Sequence, residues 1–424
     1  MIRPALAALL LALGAPAVEV LAAPAVQVLA APPVPALAAP AVAATGGAGA
    51  ACTGAASDFD GDGQDDVAVG DPFGDGQKGA VHVLSGGKVV PVAVSGPARG
   101  DGFGWSVRLA KVDGDACADL VIGAPYTDVD DAQDAGAVYI VFGGGTGRSP
   151  LLLTAPQPQR FAHFGWSLAA RGNLVAIGAP YEDDGQVVDA GAAYVRKGDG
   201  PVRRISQETS DVRGNSEVGD QFGWSLAFGP RNGLVVGVPY ENDDGAGRQV
   251  EAGKLDSGSV VFIDDAFAPE LVSLKLDSPT DAQGDKYGYA VAYADGSGYA
   301  VSAPGPGYVQ LLDAGKRQVR KVTQAGRSAF GFSLAASADG RLAIGAPYGG
   351  GVRVISWRNP AEDRTLADAG GLFGWSVAFS GNKLYVGQPD ARPYGKVGVA
   401  ARNADQIQPL QPAKGADFGV SLSG

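Results

Sequence analysis

A two-part motif that recurs seven times along the chain is the strongest constraint on its fold. Each copy opens with an aromatic residue and a glycine, followed in most copies by a second aromatic residue and a serine. The seven openings are Phe103-Gly-Trp-Ser, Phe164-Gly-Trp-Ser, Phe222-Gly-Trp-Ser, Tyr287-Gly-Tyr-Ala, Phe330-Gly-Phe-Ser, Phe373-Gly-Trp-Ser and Phe418-Gly-Val-Ser. The closing parts end in proline, at Gly70-Asp-Pro, Gly123-Ala-Pro, Gly178-Ala-Pro, Gly237-Val-Pro, Ser302-Ala-Pro, Gly345-Ala-Pro and Gly387-Gln-Pro.

The spacing and pattern of the motif predict four β-strands per copy. Successive openings lie 43 to 65 residues apart, the spacing of a four-stranded propeller blade. Both parts of the motif are continuous apolar runs, as expected for strands that neighbouring blades cover on both faces. Two further strand-like runs follow each closing part, for example Ala192 to Val195 and Val202 to Ser206. The sequence therefore predicts an all-β fold, a seven-bladed β-propeller formed by residues 57–424.

The order of the two parts predicts how the ring of blades closes. The first closing part, Val67 to Pro72, has no opening partner, and the last opening part, Phe418 to Leu422, has no closing partner. The simplest arrangement places the last strand in the first blade as its innermost member. Such pairing removes the open ends that a linear stack of blades would expose.

Composition excludes some classes of partner. The chain has a formal net charge of −12 at pH 7. Nucleic acids and anionic lipid surfaces are polyanions, so neither is an expected partner. A basic group or a metal ion fits this charge balance better.

The first 44 residues are interpreted as a signal peptide with an Ala/Pro-rich leader, and residues 45–56 as a linker. Arg3 precedes an apolar run, Ala5 to Ala15, that has signal-peptide length and is too short to span a bilayer. A tandem repeat with a proline in each copy follows, and those prolines break any membrane-spanning helix. A semi-rigid stalk is the alternative interpretation. We expect a secreted or cell-surface protein without a membrane span after signal removal.

The pairing of Phe-Gly with Gly-Ala-Pro, as in Phe164 to Pro180, resembles the FG-GAP repeats of the integrin α-subunit head. The resemblance covers residues 57–424 in all seven copies, and the family includes secreted bacterial proteins that need no integrin β partner. It implies a seven-bladed propeller with calcium loops between the first two strands of a blade. It also implies a non-catalytic recognition or adhesion module.

The clearest metal motif lies before the first closing part, in residues 58–66, here named loop 1. Its oxygen donors recur at alternate positions of a tight, glycine-containing loop, with the carbonyl of Gln64 among them: Asp58, Asp60, Asp62, Gln64 and Asp66. Ca²⁺ takes about six to eight oxygen ligands, and the similar family loops have the same spacing. We predict that loop 1 binds Ca²⁺, and an ordinary acidic turn is the alternative.

The next blade repeats this loop in register at residues 111–119, here named loop 2. It keeps Asp113, Asp115 and Asp119 but has Lys111 in place of the first carboxylate, which makes it at most a weaker second site. In the alternative interpretation the lysine replaces the metal and pairs with these carboxylates. Cys52 precedes loop 1 and Cys117 lies in loop 2, so we predict a disulfide between adjacent blades of an exported protein.

Long acidic loops between the second and third strands of three consecutive blades suggest a binding face. The candidate ligand-binding carboxylates in these loops are Asp130, Asp131, Asp183, Asp184, Asp243 and Asp244. An acidic, solvated rim without a ligand is the alternative interpretation. Carboxylates before the opening motif, Asp101, Asp220 and Asp285, either add charge to this face or cap the preceding turns.

Aromatic residues at the third position of the opening motif extend the predicted binding face. They are Trp105, Trp166, Trp224, Tyr289, Phe332 and Trp375, with Val420 as the exception. In integrin heads the matching positions resemble a cage that takes a basic side chain of the partner. Without a ligand, these rings would fill the space near the propeller axis.

These features favour a non-catalytic recognition or adhesion module, expected to be a monomer that binds an extracellular protein with a basic residue. A carbohydrate-binding propeller is the first alternative, because exposed aromatic rings beside carboxylates also bind sugars. The second alternative is a glycan-cleaving enzyme that uses two carboxylates, for instance Asp184 and Asp244, as acid and base. No nucleophile elbow or zinc-binding helix motif occurs in the sequence.

Overall fold

The computed structural model describes most of the chain from Cys52 onward. The described residues are 52, 54–242, 254–326, 328–349, 351–368, 370–402, 404 and 406–424. The predicted leader, residues 1–44, lies outside them, as does most of the predicted linker. The described residues form seven sheets of four antiparallel strands, which confirms the predicted all-β, seven-bladed propeller.

The first four blades contain sixteen strands. Blade one contains β1 (Val67–Asp71), β2 (Ala80–Ser85), β3 (Lys88–Val92) and the last strand of the chain, β28 (Ser421–Ser423). Blade two contains β4 (Ser106–Ala110), β5 (Asp119–Ala124), β6 (Ala137–Val141) and β7 (Leu151–Leu153). Blade three contains β8 (Ser167–Arg171), β9 (Leu174–Ala179), β10 (Ala192–Lys197) and β11 (Arg203–Ile205). Blade four contains β12 (Ser225–Phe228), β13 (Leu234–Val238), β14 (Ser259–Ile263) and β15 (Ser273–Asp277).

The remaining three blades have the same order of strands. Blade five contains β16 (Val291–Ala294), β17 (Gly298–Ala303), β18 (Tyr308–Leu312) and β19 (Gln318–Thr323). Blade six contains β20 (Leu334–Ala336), β21 (Arg341–Ala346), β22 (Gly351–Ser356) and β23 (Arg364–Leu366). Blade seven contains β24 (Val377–Ser380), β25 (Lys383–Gln388), β26 (Lys396–Ala401) and β27 (Ile407–Leu410). The helices are the short α1 (Gly74–Gln77) and a 3-10 turn (Pro360–Glu362). Within the described residues, no helix is long and apolar enough to cross a membrane.

The innermost strands form a continuous ring, which the last strand closes. Each innermost strand contacts those of the two neighbouring blades, and β28 contacts both β24 and β4. β28 pairs with β1 in antiparallel register, with Val69 opposite Leu422. Ser423 Oγ also accepts the N–H of Leu109 in blade two at 3.0 Å. The prediction that the C-terminal strand completes the first blade is confirmed.

The recurring glycines and serines of the motif act at the contact between blades. The Ser106 hydroxyl donates to the carbonyl of Gly165 in the next blade at 2.7 Å. A Cβ atom on Gly123, the closing glycine beside this serine, would lie 2.1 Å from the same carbonyl. Blades therefore pack closely only because the closing position lacks a side chain. The same bond closes the ring, where the Ser421 hydroxyl donates to the Gly104 carbonyl at 2.8 Å.

The hydrophobic cores lie between neighbouring blades. Val236 and Val261 of blade four, for example, pack with Ala176 and Ala193 of blade three. The second strand is almost wholly buried in every blade, whereas the fourth strand exposes residues such as Leu152. This gradient follows from the architecture, because a blade is covered by its neighbours on both faces and its outer edge meets solvent.

Candidate functional site

The antiparallel pairing within each blade divides the candidate residues between the two ends of the propeller. The innermost strand begins beside the end of the second strand, as where Ser106 pairs with Gly123. The opening aromatics and the loops between second and third strands therefore share one end, which we call the aromatic face. Loops 1 and 2 immediately precede the second strands β1 and β5, so they lie at the opposite face.

Loop 1 folds around the side chains of Asp58 and Asp66, which are both fully buried. Asp58 accepts the main-chain N–H groups of Gly61 at 2.8 Å and Gly63 at 3.0 Å. Asp66 accepts the N–H of Phe59 at 2.9 Å through Oδ2. All of these bonds lie within the loop, and they bring the first and last carboxylates together.

The two middle carboxylates of loop 1 are more exposed and converge on the end of β2. The Ser85 hydroxyl donates to Asp60 Oδ2 at 2.7 Å and lies 3.4 Å from Asp62 Oδ2. Asp62 also accepts the N–H of Gln64 at 2.8 Å. The sequence analysis missed Ser85, since its proximity depends on the pairing of β1 with β2. Its oxygen is a further hard donor beside the loop.

The donor set of loop 1 fits a divalent cation. Single carboxylate oxygens of Asp58, Asp60 and Asp66 lie within 4.8 Å of one another. Asp66 Oδ1 is buried and accepts no hydrogen bond from any described residue. Burial raises the pKa of the Asp66 carboxyl to about 6, because the charged form loses its hydration. Ca²⁺, which prefers carboxylate and carbonyl oxygens, would satisfy this oxygen and favour the charged form.

Loop 2 has the same backbone hydrogen bonds but a different charge balance. Asp119 Oδ2 accepts the N–H of Val112 at 2.8 Å, and Asp119 Oδ1 accepts the N–H of Gly143 at 3.1 Å. Arg148 Nη1 lies 2.6 Å from Asp113 Oδ2. The Val112 contact has a counterpart in loop 1, whereas the Gly143 contact fills the oxygen that is open in Asp66. Between residues 54 and 242, the expected ion pair of Lys111 with these carboxylates is not formed, and Arg148 supplies the positive charge instead.

The predicted disulfide between Cys52 and Cys117 is present in the structure. The two Cα atoms are 5.0 Å apart, and both side chains are buried. Beside it, the Ala118 N–H donates to the Asp58 carbonyl at 2.8 Å, and the Gly144 N–H donates to the Phe59 carbonyl at the same distance. Loop 1 is therefore attached to blade two by covalent and hydrogen bonds.

The six predicted aromatic residues form one chain of contacts, here named the axial aromatic ring. Neighbouring centroids lie 4.6 to 5.5 Å apart, in the order Trp105, Trp166, Trp224, Tyr289, Phe332 and Trp375. The last four are at most 8% exposed, whereas Trp105 and Trp166 are half-buried. The rings thus fill the space near the axis, as the alternative interpretation expects, and the two half-buried indoles reach solvent on the aromatic face.

A second set of aromatic residues surrounds this ring and was missed by the sequence analysis. In four blades a tyrosine follows the closing proline and contacts the ring residue of its own blade edge-on, at centroid distances of 5.2 to 6.4 Å: Tyr126, Tyr181, Tyr240 and Tyr348. Burial raises the pKa of Tyr181 to about 12, so its phenol stays neutral near pH 7. The Gly-x-Pro-Tyr pattern is the sequence signal that would have found this set.

The acidic loop of blade two is an ordered hairpin on the aromatic face. Val129 and Ala132 exchange main-chain hydrogen bonds of 3.0 and 2.9 Å. Asp130 and Asp131 occupy the turn between them, and both are exposed. Their carboxylates are therefore accessible both to a partner and to water.

In blade three the predicted carboxylates are held by neighbouring groups. Asp183 Oδ1 accepts the N–H of Asp189 at 3.0 Å, which stabilises the loop itself. Asp184 accepts the Ser216 hydroxyl at 3.2 Å and lies 3.5 Å from Arg204. Both side chains are half-buried. These residues contribute negative potential to the face, but part of their hydrogen-bonding capacity is used within the protein.

Other predicted carboxylates divide between turn caps and undescribed positions. Asp101 accepts the N–H of Ala98 at 2.9 Å, and Asp285 accepts the N–H of Ala282 at 3.2 Å, so both cap the preceding turn. Asp243 and Asp244 lie outside the described residues. The suggested acid and base pair of a glycan-cleaving enzyme includes Asp244, so its geometry is outside the described structure.

Exposed apolar side chains accompany the acidic loops on the aromatic face. Those in the connections around blades three and four are 37% to 50% exposed: Phe161, Val188, Val218 and Leu255. Val218 and Leu255 line a depression of about 350 Å³ together with Tyr240 and Asp256. Apolar groups that remain in solvent beside carboxylates are typical of interaction surfaces.

Comparisons with known proteins agree with the repeat assignment. Models of a family described as the FG-GAP repeat match residues 53–84 and 103–141, and residues 152–196. Integrin alpha-PS2 of Drosophila melanogaster is 32% identical over 191 residues, which cover 41% of this chain and 13% of that protein. Human integrin alpha-7 is 35% identical over 164 residues, which cover 35% of this chain and 13% of that protein. The chain thus corresponds to a small part of these relatives.

A solved structure supports the architecture alone. The structure of a streptogramin B lyase superimposes with a TM-score of 0.51 at 10% sequence identity, covering 72% of this chain and 82% of that one. A likeness at such low identity shows the propeller fold alone. The repeats, the blades and the curated relatives agree: the chain is a seven-bladed β-propeller that carries FG-GAP repeats and resembles the propeller of integrin α subunits.

Proposed function

We propose that this chain is a secreted or cell-surface, calcium-binding recognition module that binds an extracellular protein through its aromatic face and performs no catalysis. The observation that carries the proposal is the axial aromatic ring, bordered on blades two and three by acidic loops. Negative potential attracts a cationic side chain, and aromatic faces hold it once it is desolvated.

The half-buried part of the axial aromatic ring is the proposed contact point. Trp105 and Trp166 lie 4.9 Å apart between centroids, with their planes tilted by 43°. Among the described residues, neither of these indoles is covered by a cation of the protein itself. An arginine of a partner would gain about 1–2 kcal/mol from such a contact when desolvated.

Export and calcium binding are part of the same proposal. The disulfide between Cys52 and Cys117 is consistent with an oxidising compartment, where such bonds persist. Loop 1 supplies the carboxylates Asp58, Asp60, Asp62 and Asp66, and a bound Ca²⁺ would neutralise their charge and hold the loop against blade two. Calcium would act at the face opposite the aromatic ring, so its role here is structural.

Tryptophan fluorescence tests the proposed partner chemistry directly, because four of the five tryptophans belong to the axial aromatic ring. The probe is a short peptide with one central arginine, and the control peptide carries neutral citrulline in its place. We expect the arginine peptide to bind and the citrulline peptide to bind at least about fivefold more weakly, the equivalent of about 1 kcal/mol.

A pair of variants localises the binding. Trp166→Leu removes one accessible aromatic face and is expected to lower the affinity for the arginine peptide about fivefold. Trp357→Phe, at a tryptophan outside the axial aromatic ring, should leave the affinity unchanged. Equal affinity of Trp166→Leu and the unsubstituted chain, or equal binding of both peptides, would contradict recognition of a basic side chain by the ring.

A carbohydrate ligand is the second candidate function. The depression lined by Tyr240, Leu255 and Asp256 combines an aromatic ring, an apolar side chain and a carboxylate, which is the usual composition of a sugar subsite. A glycan array with the labelled chain tests this alternative. Selective glycan binding without arginine-peptide binding would favour it over the protein-recognition proposal.

A further inference from the structure

Blade four contains three buried carboxylates close together on the aromatic face, here named the blade-four cluster. Glu217, Asp220 and Glu241 are 5%, 0% and 4% exposed, and one oxygen of each lies within 4.8 Å of the others. Glu217 and Asp220 precede β12, and Glu241 follows β13. Burial and the nearby charge of Glu241 raise the pKa of Asp220.

No other blade has two acids at the equivalent positions. In blade two, Asp101 lies two residues before the opening phenylalanine, but Thr127 occupies the place that corresponds to the blade-four glutamate. In blade three the corresponding residues are Ala162 and Glu182. In each of the other four blades, at most one of the two equivalent positions is an acid. The pair in blade four is therefore not a requirement of the repeat.

Blade three shows how a single buried glutamate is satisfied by its own strands. Glu182 Oε2 accepts the Tyr194 hydroxyl at 2.6 Å, and Glu182 Oε1 accepts Arg204 Nε at 2.5 Å. Both partners come from the third and fourth strands of the same blade. The same arginine also lies 3.5 Å from the half-buried Asp184, so blade three has one cation for one fully buried glutamate and one more exposed aspartate.

Blade four adds a buried acid, Asp220, to the same arrangement. Lys275 corresponds to that arginine, and its Nζ lies 3.1 Å from Glu241 Oε1 and 3.2 Å from Asp277 Oδ1. One lysine is thus shared by two carboxylates. Among the described residues, no ion pair reaches Asp220. Asp220 thus has no cation of its own among the described residues.

Two buried oxygens of different chemical type remain beside the cluster. Asp220 Oδ2 accepts the N–H of Glu217 at 2.9 Å, whereas Asp220 Oδ1 accepts no hydrogen bond from the described residues. The amide nitrogen of Gln207 donates to Glu241 Oε2 at 3.0 Å. This bond fixes the amide, and its oxygen Oε1, in a side chain that is 3% exposed, also lacks a donor in the described structure. Orphaned buried oxygens are costly unless a donor or cation is bound.

We propose that the blade-four cluster binds Ca²⁺ through Asp220 Oδ1, the carboxylates of Glu217 and Glu241, and the amide oxygen of Gln207. The donors are all hard oxygens, three of them carboxylates, which is the set that Ca²⁺ prefers. The ion supplies Asp220 with a positive charge, as Lys275 does for Glu241. It lies on the aromatic face, at the other end of the propeller from loop 1, and its existence does not depend on the function proposed above.

Counting bound ions tests the site. Equilibrium dialysis of the full chain against Ca²⁺ gives the number of ions bound at saturation. Asp220→Asn keeps an acceptor for the Glu217 N–H but removes the anionic oxygen. We expect it to lower the count by one ion per chain, and to do so equally in a chain whose loop 1 carries Asp60→Asn and Asp62→Asn. The second background separates this site from loop 1.

Blade two offers the matched control. Asp101→Asn is the same substitution at the equivalent position, where the carboxylate caps a turn through the Ala98 N–H, and Thr127 occupies the position that corresponds to Glu241. Its ion count should equal that of the unsubstituted chain. Circular dichroism and thermal unfolding at saturating Ca²⁺ show whether each variant is folded.

If Asp220→Asn does not fold, Gln207→Leu gives an independent measurement, because it removes only the neutral oxygen. It is expected to weaken the calcium affinity of this site about tenfold, the equivalent of about 1.4 kcal/mol. Unchanged ion count and affinity in the folded variant overturn the proposal. A higher melting temperature of Asp220→Asn with no ion lost also overturns it, since that result identifies a shared proton in place of a metal.

Discussion

Loops 1 and 2 have the same main-chain hydrogen bonds to their last carboxylate, but different groups surround their carboxylates. In both, the last carboxylate accepts main-chain N–H groups near the loop start, at 2.9 Å for Asp66 and 2.8 Å for Asp119. In loop 2 the remaining oxygen of Asp119 accepts the Gly143 N–H at 3.1 Å, and Arg148 pairs with Asp113 at 2.6 Å. In loop 1 the equivalent oxygen of Asp66 has no donor among the described residues.

The difference shows that the spacing of carboxylates specifies the loop, whereas the residues around it decide whether a cation is needed. Ser85 is the last residue of β2, the third strand of blade one. By register it corresponds to Phe142, which follows β6 beside loop 2. The serine donates to Asp60, while the guanidinium of Arg148 lies over the ring of Phe142, 3.5 Å from its centroid. Loop 2 therefore carries its own cation, whereas the corresponding contact in loop 1 is a neutral hydroxyl.

The largest expected effect comes from removal of β28, the strand that contacts both blade one and blade two. Deletion of residues 414–424 removes β28, which pairs with β1 after loop 1 and whose Ser423 accepts the Leu109 N–H of β4 just before loop 2. We expect loss of the cooperative unfolding transition, because the ring would open along one complete blade contact. Differential scanning calorimetry with and without Ca²⁺ measures the unfolding transition.

Ser423→Ala is the matched control for the deletion. It removes one hydroxyl acceptor and keeps the strand, so it should cost about 1 kcal/mol in the free energy of unfolding. A truncated chain that melts like the full one would show that β28 is dispensable, and both loops would then have to be stable without a closed ring.

The second test asks whether loop 1 alone depends on a cation. Ca²⁺ at about a hundredfold excess over its Kd should stabilise the unsubstituted chain by about 2.7 kcal/mol, relative to chelator, for one site. That stabilisation corresponds to a rise of a few degrees in Tm for a protein of this size. Asp60→Ala and Asp62→Ala should each remove most of the part that loop 1 contributes.

Substitution in loop 2 is the control, and it also separates the two loops. Asp115→Ala should leave the calcium-dependent shift unchanged, since Asp115 only accepts the Cys117 N–H at 2.8 Å. If loop 1 variants keep the full shift, loop 1 is an ordinary acidic turn. The fold would be unaffected, and calcium binding at the first blade would be excluded.

Local sequence was sufficient to predict the parts of this comparison that depend on neighbouring residues. The blade number followed from the repeated glycines and serines, because the contact made by Gly123 and Ser106 recurs between most neighbouring blades, with Ala290 and Ser302 as the exception in blade five. The carboxylate frame of loop 1 and the pairing of Cys52 with Cys117 followed from register between adjacent copies.

Residues that approach through strand pairing could not be predicted in the same way. Arg148 is 35 residues from Asp113 and reaches it only through the connection between β6 and β7. The blade-four cluster depends on Gln207 and Glu241, which are 34 residues apart and meet across blades three and four. A register alignment of all seven copies would have shown the second acid in blade four, but not that it is buried.

The smallest expected effect comes from converting loop 2 into a copy of loop 1. Lys111→Asp restores the missing carboxylate, and Arg148→Ala removes the cation that pairs with Asp113. We expect the double variant to bind one additional Ca²⁺, measured by equilibrium dialysis. Its affinity should be weaker than that of loop 1, because the Gly143 N–H still occupies Asp119 Oδ1.

The single variant decides which residue controls loop 2. Lys111→Asp alone keeps Arg148 and should bind no additional ion, since the guanidinium still neutralises Asp113. If this single variant gains the ion, Lys111 rather than Arg148 excludes metal from loop 2. If the double variant gains none, the difference between the loops lies in the donors to the last carboxylate, Asp66 or Asp119, rather than in the balance of charge.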